Sequence, residues 1–128
     1  MTWNVAPYFC VRDVVASANF YRDQLGFTYK RFWGDPPAFA MVTRSGIWIM
    51  LSQFETSATN PNANHDPESQ AWDAYIWVDS ADDLEKEFRS RGVEIARALE
   101  DQPYECRDFE VLDRDGYRLC FGHTTTER

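Results

Sequence analysis

Few residues in this chain could act as acids, bases, nucleophiles or metal ligands. There are only two histidines, His65 in a polar tract and His123 near the end of the chain. A mononuclear iron site wants two histidines and a carboxylate on facing strands, and neither histidine falls on a predicted strand face; His123 is expected as a solvated residue just past the last strand. The three cysteines, Cys10, Cys106 and Cys120, have no evident histidine or helix N-terminus beside them to lower a thiol pKa, so each is expected as a small core residue. No Gly-x-Ser-x-Gly elbow and no phosphate loop is present. What remains are Asp73 and Glu110. Each is either a general base desolvated among Trp and Tyr rings or a solvated group at a strand end, and Arg107 or Arg118 could serve as oxyanion partner. A zinc site from Cys10, Cys120 and Asp73 is a further arrangement. The plentiful chemistry is aromatic: Phe, Trp and Tyr make up 16% of the chain.

The elements that would position these groups occur twice. Tyr8-Phe9-Cys10-Val11-Arg12-Asp13 precedes a helical stretch with Phe20 and Tyr21 and then Leu25-Gly26-Phe27. Tyr75-Ile76-Trp77-Val78-Asp79 precedes one with Leu84 and Phe88 and then Arg91-Gly92-Val93. Each copy ends in a strand opened by a glycine, Gly46 to Leu51 and Gly116 to Phe121. Offsets of 67 (Val11 to Val78), 66 (Gly26 to Gly92) and 70 (Gly46 to Gly116) mark a duplicated module. The reading is α+β, with paired βαβββ modules forming a curled mixed sheet around a cleft and helices on the outer face. Residues 1–128 are read as a single domain: module one over 5–52, a linker over 53–71 and module two over 72–123. Strands are expected at 5–12, 27–33, 38–44, 46–52, 73–78, 93–98, 105–112 and 117–122. Asp13 and Ser80 are expected as helix N-caps, and Gly26 ends the first helix.

Alternation along a strand sorts side chains to opposite faces. One set, Phe9, Val11, Ile47, Ile49, Leu51, Ile76, Val78, Leu119 and Phe121, is largely aliphatic and should carry the helices. The other reads Tyr8, Cys10, Trp48, Met50, Tyr75, Trp77, Arg118 and Cys120. It is aromatic and sulfur-rich with polar tips, which suits a face that holds a ligand. Trp48, Met50, Tyr75 and Trp77 are expected to line one cavity, with Trp33 and Phe39 at its mouth.

Bulk properties narrow the partners. A net charge of −8 and a pI near 4.6 argue against nucleic acid, whose phosphates need a Lys/Arg surface. They are compatible with a cationic small molecule, and also with a merely solubilising surface. No apolar run approaches the roughly 20 residues of a membrane span. The opening Met1-Thr2-Trp3-Asn4-Val5-Ala6-Pro7 has no basic n-region or apolar h-region. A cytoplasmic protein with no membrane partner is expected.

The residues quoted above, in this order and twice over, resemble the vicinal oxygen chelate superfamily, which embraces glyoxalases, bleomycin-resistance proteins and ring-cleaving dioxygenases. Asp113-Arg114-Asp115-Gly116 is similar to its Asp-Pro-Asp-Gly turn. Pro103-Tyr104-Glu105-Cys106-Arg107-Asp108-Phe109 looks like the Pro-Trp-Gly-x-Arg-Glu-Phe stretch of bleomycin-resistance-like members, which brings Tyr104 and Arg107 into the candidate site. The enzymes of the superfamily place metal ligands at positions that correspond here to Ala6, Met50, Asp73 and Cys120. Alanine cannot ligate and a thioether suits these metals poorly, so no metal and no other cofactor is expected. The resemblance implies a homodimer that sequesters a planar aromatic molecule, cationic in some cases, such as an antibiotic, with a resistance or self-protection role and no catalytic residue. Two other readings stay open. One is a lyase or isomerase with an altered ligand set; the other is a small-molecule sensor or carrier.

Overall fold

A computed structural model describes residues 2–54 and 71–126. His65 and most of the predicted linker lie outside the described residues. The chain divides into two compact units, Met1–Asn62 and Ala63–Arg128. The first contains β1 (Tyr8–Val11), α1 (Val14–Asp23), β2 (Phe32–Trp33), β3 (Phe39–Arg44) and β4 (Ile47–Gln53). The second contains β5 (Ala74–Trp77), α2 (Ala81–Ser90), β6 (Ile95–Gln102), β7 (Cys106–Leu112) and β8 (Arg118–Thr124). Two helices and eight strands in two mixed sheets make the described residues an α+β structure, as the repeat predicts. Its duplication is visible in the topology. The sheets run β1-β4-β3-β2 and β5-β8-β7-β6, and in each the first strand lies parallel to the last of its unit.

Both helices begin where capping chemistry places them. The Asp13 carboxylate accepts from the Ala16 N–H, and the Ser80 hydroxyl from the Asp83 N–H, each at 3.1 Å. These bonds satisfy amides that the first helical turn leaves without a backbone partner. Asp82 and Asp83 add negative charge at the positive end of α2. Gly26 ends the α1 segment at φ 73°, and the Phe27 N–H then returns to the Tyr21 carbonyl at 3.0 Å. The apolar strand faces meet the helices as alternation requires: Phe9, Val11, Ile49 and Leu51 are buried in the first unit, Ile76, Leu119 and Phe121 in the second. In the second unit the Phe88 ring of α2 sits 5.8 Å from Phe109 and 5.3 Å from Phe121.

Three local expectations need correction. The strand predicted over 27–33 reduces to Phe32–Trp33 and one bridge between Thr28 and Thr43. Between them the Tyr29 hydroxyl turns to α1 and donates to Asn19 Oδ1 at 2.6 Å, so this stretch ties helix to sheet instead of joining the ladder. The strand predicted over 93–98 begins two residues later and runs to Gln102, with register shifts on both sides of Arg97. His123 lies within β8, and its Nδ1 accepts from the Ala81 N–H at 2.9 Å. It caps α2 and is not a solvated tail residue.

The Asp113-Arg114-Asp115-Gly116 turn keeps its function without proline. Asp113 Oδ1 accepts from the Asp115 and Tyr117 amides, both at 2.9 Å, and the Gly116 N–H reaches the Asp113 carbonyl at 3.1 Å. The carboxylate imposes the turn that a proline would otherwise pre-set.

Candidate functional site

In the second unit, the face of the sheet turned away from α2 carries an ionic layer beneath aromatic rings. Its centre is Arg97, which the sequence reading missed. Ile95 pairs with Val111, but the register shift sets Arg97 opposite Glu110. The bulge thereby turns the guanidinium to the face opposite that of Val111, a familiar effect of an extra residue in one strand. Its Nε donates to Glu110 at 2.9 Å, and its other nitrogens reach the Asp108 carboxylate, Glu100 at 3.1 Å and the Asp108 carbonyl at 3.2 Å. Glu110 also accepts from Arg118 at 2.7 Å and from the Trp72 indole N–H at 3.0 Å. Asp108, likewise absent from the predicted site, is fully buried as a side chain. Its Oδ2 accepts from two phenols, Tyr104 at 2.6 Å and Tyr75 at 3.0 Å.

Over this layer the rings form a continuous series. Trp72 and Tyr75 centroids are 4.9 Å apart, Tyr75 and Trp77 4.8 Å, Trp72 and Tyr104 6.0 Å. Trp77 is 52% exposed, Tyr104 46% and Trp72 40%. Gly122, opposite Asp108 in the ladder, makes room for the series. A methyl at this position would overlap the Tyr75 hydroxyl and come within 2.7 Å of Asp108 Cβ, so glycine is required here by close approach.

The first unit presents a second aromatic face, described by itself. Tyr8, Met50 and Met41 stand opposite one another across three strands, and Trp48 opposite Thr43. The Phe39 ring lies 6.4 Å from Tyr8 and 5.7 Å from Trp33, and the Arg31 guanidinium sits 4.8 Å above Trp33. Tyr8 is 58% exposed and Trp48 40%.

The predicted residues thus fall into two groups. Tyr75, Trp77, Tyr104 and Arg118 share the second unit's face; Tyr8, Trp33, Phe39, Trp48 and Met50 share the first's. Arg107 joins neither. It alternates with Asp108 and points with Phe109 to the helix side, where it pairs with Asp82 at 3.0 Å and Asp101 at 3.1 Å.

The positions where the superfamily's enzymes hold a metal do not supply a fitting donor set. Ala6 has no donor and Met50 only a thioether. Asp73 Oδ2 accepts from the Arg118 N–H at 2.8 Å. Burial pushes the Cys120 thiol well up, and the nearby Asp108 and Glu110 charges push the same way. The cation beside this thiol is the Arg97 guanidinium, 3.9 Å from its sulfur.

The same layer sets a pH window. Burial alone would raise the Asp108 carboxyl, but donation by Tyr104, Arg97 and Tyr75 outweighs it and holds the group below the usual range. Glu110 is likewise lowered against burial by Arg118, Trp72 and Arg97. Groups depressed on folding give stability that is present above their unfolded values, about 4, and is lost as pH falls through the lower folded values. Tyr75 and Tyr104 are raised, first by burial and then by hydrogen bonding, which for Tyr104 is to Asp108 and for Tyr75 to Cys106 and Asp108. With Cys120 they favour the folded state until pH exceeds the unfolded values, about 8.5 for the thiol and about 10 for the phenols. Urea midpoints should therefore form a plateau from about pH 5 to 8 and fall on both sides. Tyr104→Phe should reduce the alkaline fall.

Residues 5–121 match the sequence model of the Glyoxalase/Bleomycin resistance protein/Dioxygenase superfamily. The chain belongs to that superfamily. No curated protein sequence matches it. Among solved structures, the same fold recurs at low identity. The chain is similar to the bleomycin resistance determinant encoded on transposon Tn5 (TM-score 0.75, 18% identity, covering 98% of this chain and 100% of that one). It is similar to TioX from Micromonospora sp. ML1 (0.73, 16%, 96% and 99%). It is also similar to a lactoylglutathione lyase from Agrobacterium tumefaciens (0.69, 15%, 96% and 94%). These three structures share the fold of this chain.

Proposed function

We propose that this protein binds and sequesters a small planar aromatic molecule in the cytoplasm, without a metal, in a resistance or self-protection role. The observation that carries the reading is the half-exposed series Trp72–Tyr75–Trp77 with Tyr104 beside it. Exposed rings at stacking distance are costly to leave in water and offer about 0.5–1.5 kcal/mol per ring pair beyond burial. The likeness to a bleomycin resistance determinant supports the same reading. Beneath the rings, Asp108 and Glu110 are already paired with Arg97 and Arg118. Stacking therefore supplies most of the affinity, and a cationic charge on the ligand is an addition to it.

A lyase or isomerase would use Asp73 or Glu110 as base, with Arg107 or Arg118 as oxyanion partner. Glu110 is held below the usual carboxylate range and engages Arg118, Asp73 Oδ2 accepts from the Arg118 N–H, and Arg107 is paired with Asp82 and Asp101, so the geometry favours this reading less.

Equilibrium dialysis against planar antibiotics, followed by titration calorimetry, tests the reading. Trp77→Ala should weaken binding of a retained compound by about 1–3 kcal/mol, roughly 5- to 150-fold. Unchanged affinity in both Trp77→Ala and Trp48→Ala would place binding away from the aromatic faces. A symmetric homodimer is part of the proposal, and light scattering should give about twice the chain mass of 15.0 kDa.

A further inference from the structure

Tyr75 and Tyr104 point to what the ligand must carry. Each phenol has one O–H to donate and lone pairs with which to accept. Both direct that O–H to the same oxygen of Asp108, at 3.0 and 2.6 Å. Asp108 is fully buried, and its other oxygen is engaged by Arg97. Turning either hydroxyl away would remove a bond from a buried carboxylate, which is costly. The two phenols are therefore fixed as donors inward, and what they offer outward is acceptor capacity alone.

Their positions differ in depth. The Tyr75 hydroxyl is lodged against Gly122, with the Cys106 thiol as a second neighbour. Tyr104 is nearly half exposed, and among the described residues no donor reaches its oxygen. A carboxylate behind a hydroxyl polarises it and strengthens it as an acceptor. The layer as a whole holds two guanidiniums, Arg97 and Arg118, against three carboxylates, Glu100, Asp108 and Glu110, so the local balance also favours a positive donor. Trp72, 6.0 Å from Tyr104 and 4.9 Å from Tyr75, supplies the neighbouring surface for a ring.

We infer that Tyr104, backed by Tyr75 and Asp108, is an acceptor site that selects planar ligands bearing an N–H donor at one edge, the class of aromatic amines and amidinium-like heterocycles. This rests on the proposed aromatic binding and adds a specificity to it. A ring of equal size and charge but without the donor leaves the polarised hydroxyl unpaired and is discriminated against, because a site built for a hydrogen bond rejects the analogue that lacks it.

Two probes separate ring, charge and donor. The 9-aminoacridinium and 10-methylacridinium cations share three fused rings and a single positive charge, and only the first carries N–H groups. Calorimetric titration of the full chain at pH 7 should give a dissociation constant at least about tenfold lower for 9-aminoacridinium, the effect of one hydrogen bond of about 1.4 kcal/mol. In Tyr104→Phe the two constants should converge to within about threefold. Equal binding of both cations by the unaltered chain would overturn the acceptor site and leave the stacking reading intact. Preference retained in a folded Tyr104→Phe protein would also overturn it. Binding of neither cation up to 1 mM, with no tryptophan quenching, would overturn the stacking reading itself. Should Tyr104→Phe fail to fold, the ratio measured on the unaltered chain decides.

Discussion

Arg97→Ala is expected to lower the stability of the folded chain by about 3–5 kcal/mol, the range for removing one partner of a buried ion pair. The loss follows from what stays behind. The side chain of Asp108 is fully buried and that of Glu110 nearly so. Arg97 supplies donors to both, to Glu100 and to the Asp108 carbonyl. Alanine would leave two carboxylates to the tyrosine hydroxyls, Trp72 and Arg118. Arg97→Lys should recover only part of the loss, because an ammonium is a point charge and cannot fork between the two carboxylates of β7. Arg97→Met combined with Asp108→Asn should be less harmful than Arg97→Ala alone, since Glu110 keeps Arg118 and no buried carboxylate then lacks its counterion. Urea denaturation at pH 7 checks the series, with a shifted midpoint and an unchanged slope. A loss below about 1 kcal/mol for Arg97→Ala would mean that water reaches the layer and that it does not organise the face.

Where the ladders are regular, alternation in the sequence was sufficient. Ile49 and Leu51 on β4, and Leu119 and Phe121 on β8, are buried as their parity required, because each lies in an unbroken register. Arg97 was hidden for the opposite reason. Two register shifts in β6 break the period of two, and no residue type in Ile95-Ala96-Arg97-Ala98-Leu99 announces a bulge. Asp108 was within reach. Phe109 and Val111 mark the helix side of β7, so Arg107 had to accompany them while Asp108 and Glu110 took the other face. The resemblance of residues 103–109 to a family motif points to Arg107, whereas strand alternation places Arg107 on the helix side, beside Asp82. His123 was misplaced because β8 continues to Thr124, and its role depends on the N-terminus of α2, which is distant in sequence.

The sharpest separation of packing from binding comes from two neighbours on β4. Ile49→Ala is expected to cost about 2–5 kcal/mol of folding stability, the sum of lost transfer energy and an unfilled cavity. Ile49 is almost wholly buried and paired with Val42, which is also buried, on the side that α1 covers. Trp48, one residue earlier, faces the other way, opposite Thr43 and 40% exposed. Trp48→Ala should change stability much less, since a half-exposed ring leaves no closed cavity. It should instead weaken binding of a retained planar compound by about 1–3 kcal/mol. Ile49→Ala should leave the affinity of the folded fraction unaltered. Denaturation curves and calorimetric titrations of the two variants, measured side by side, decide the matter. The reverse pattern would require β4 to lie one residue out of register, which would carry Met50 and Ser52 to the helix side with Trp48, because a one-residue slip exchanges the two faces of a strand. A stability loss in both variants without any change in binding would keep the register and remove the first unit's aromatic face from the binding surface, leaving the ring series of Trp72, Tyr75 and Trp77 as the place where the ligand stacks.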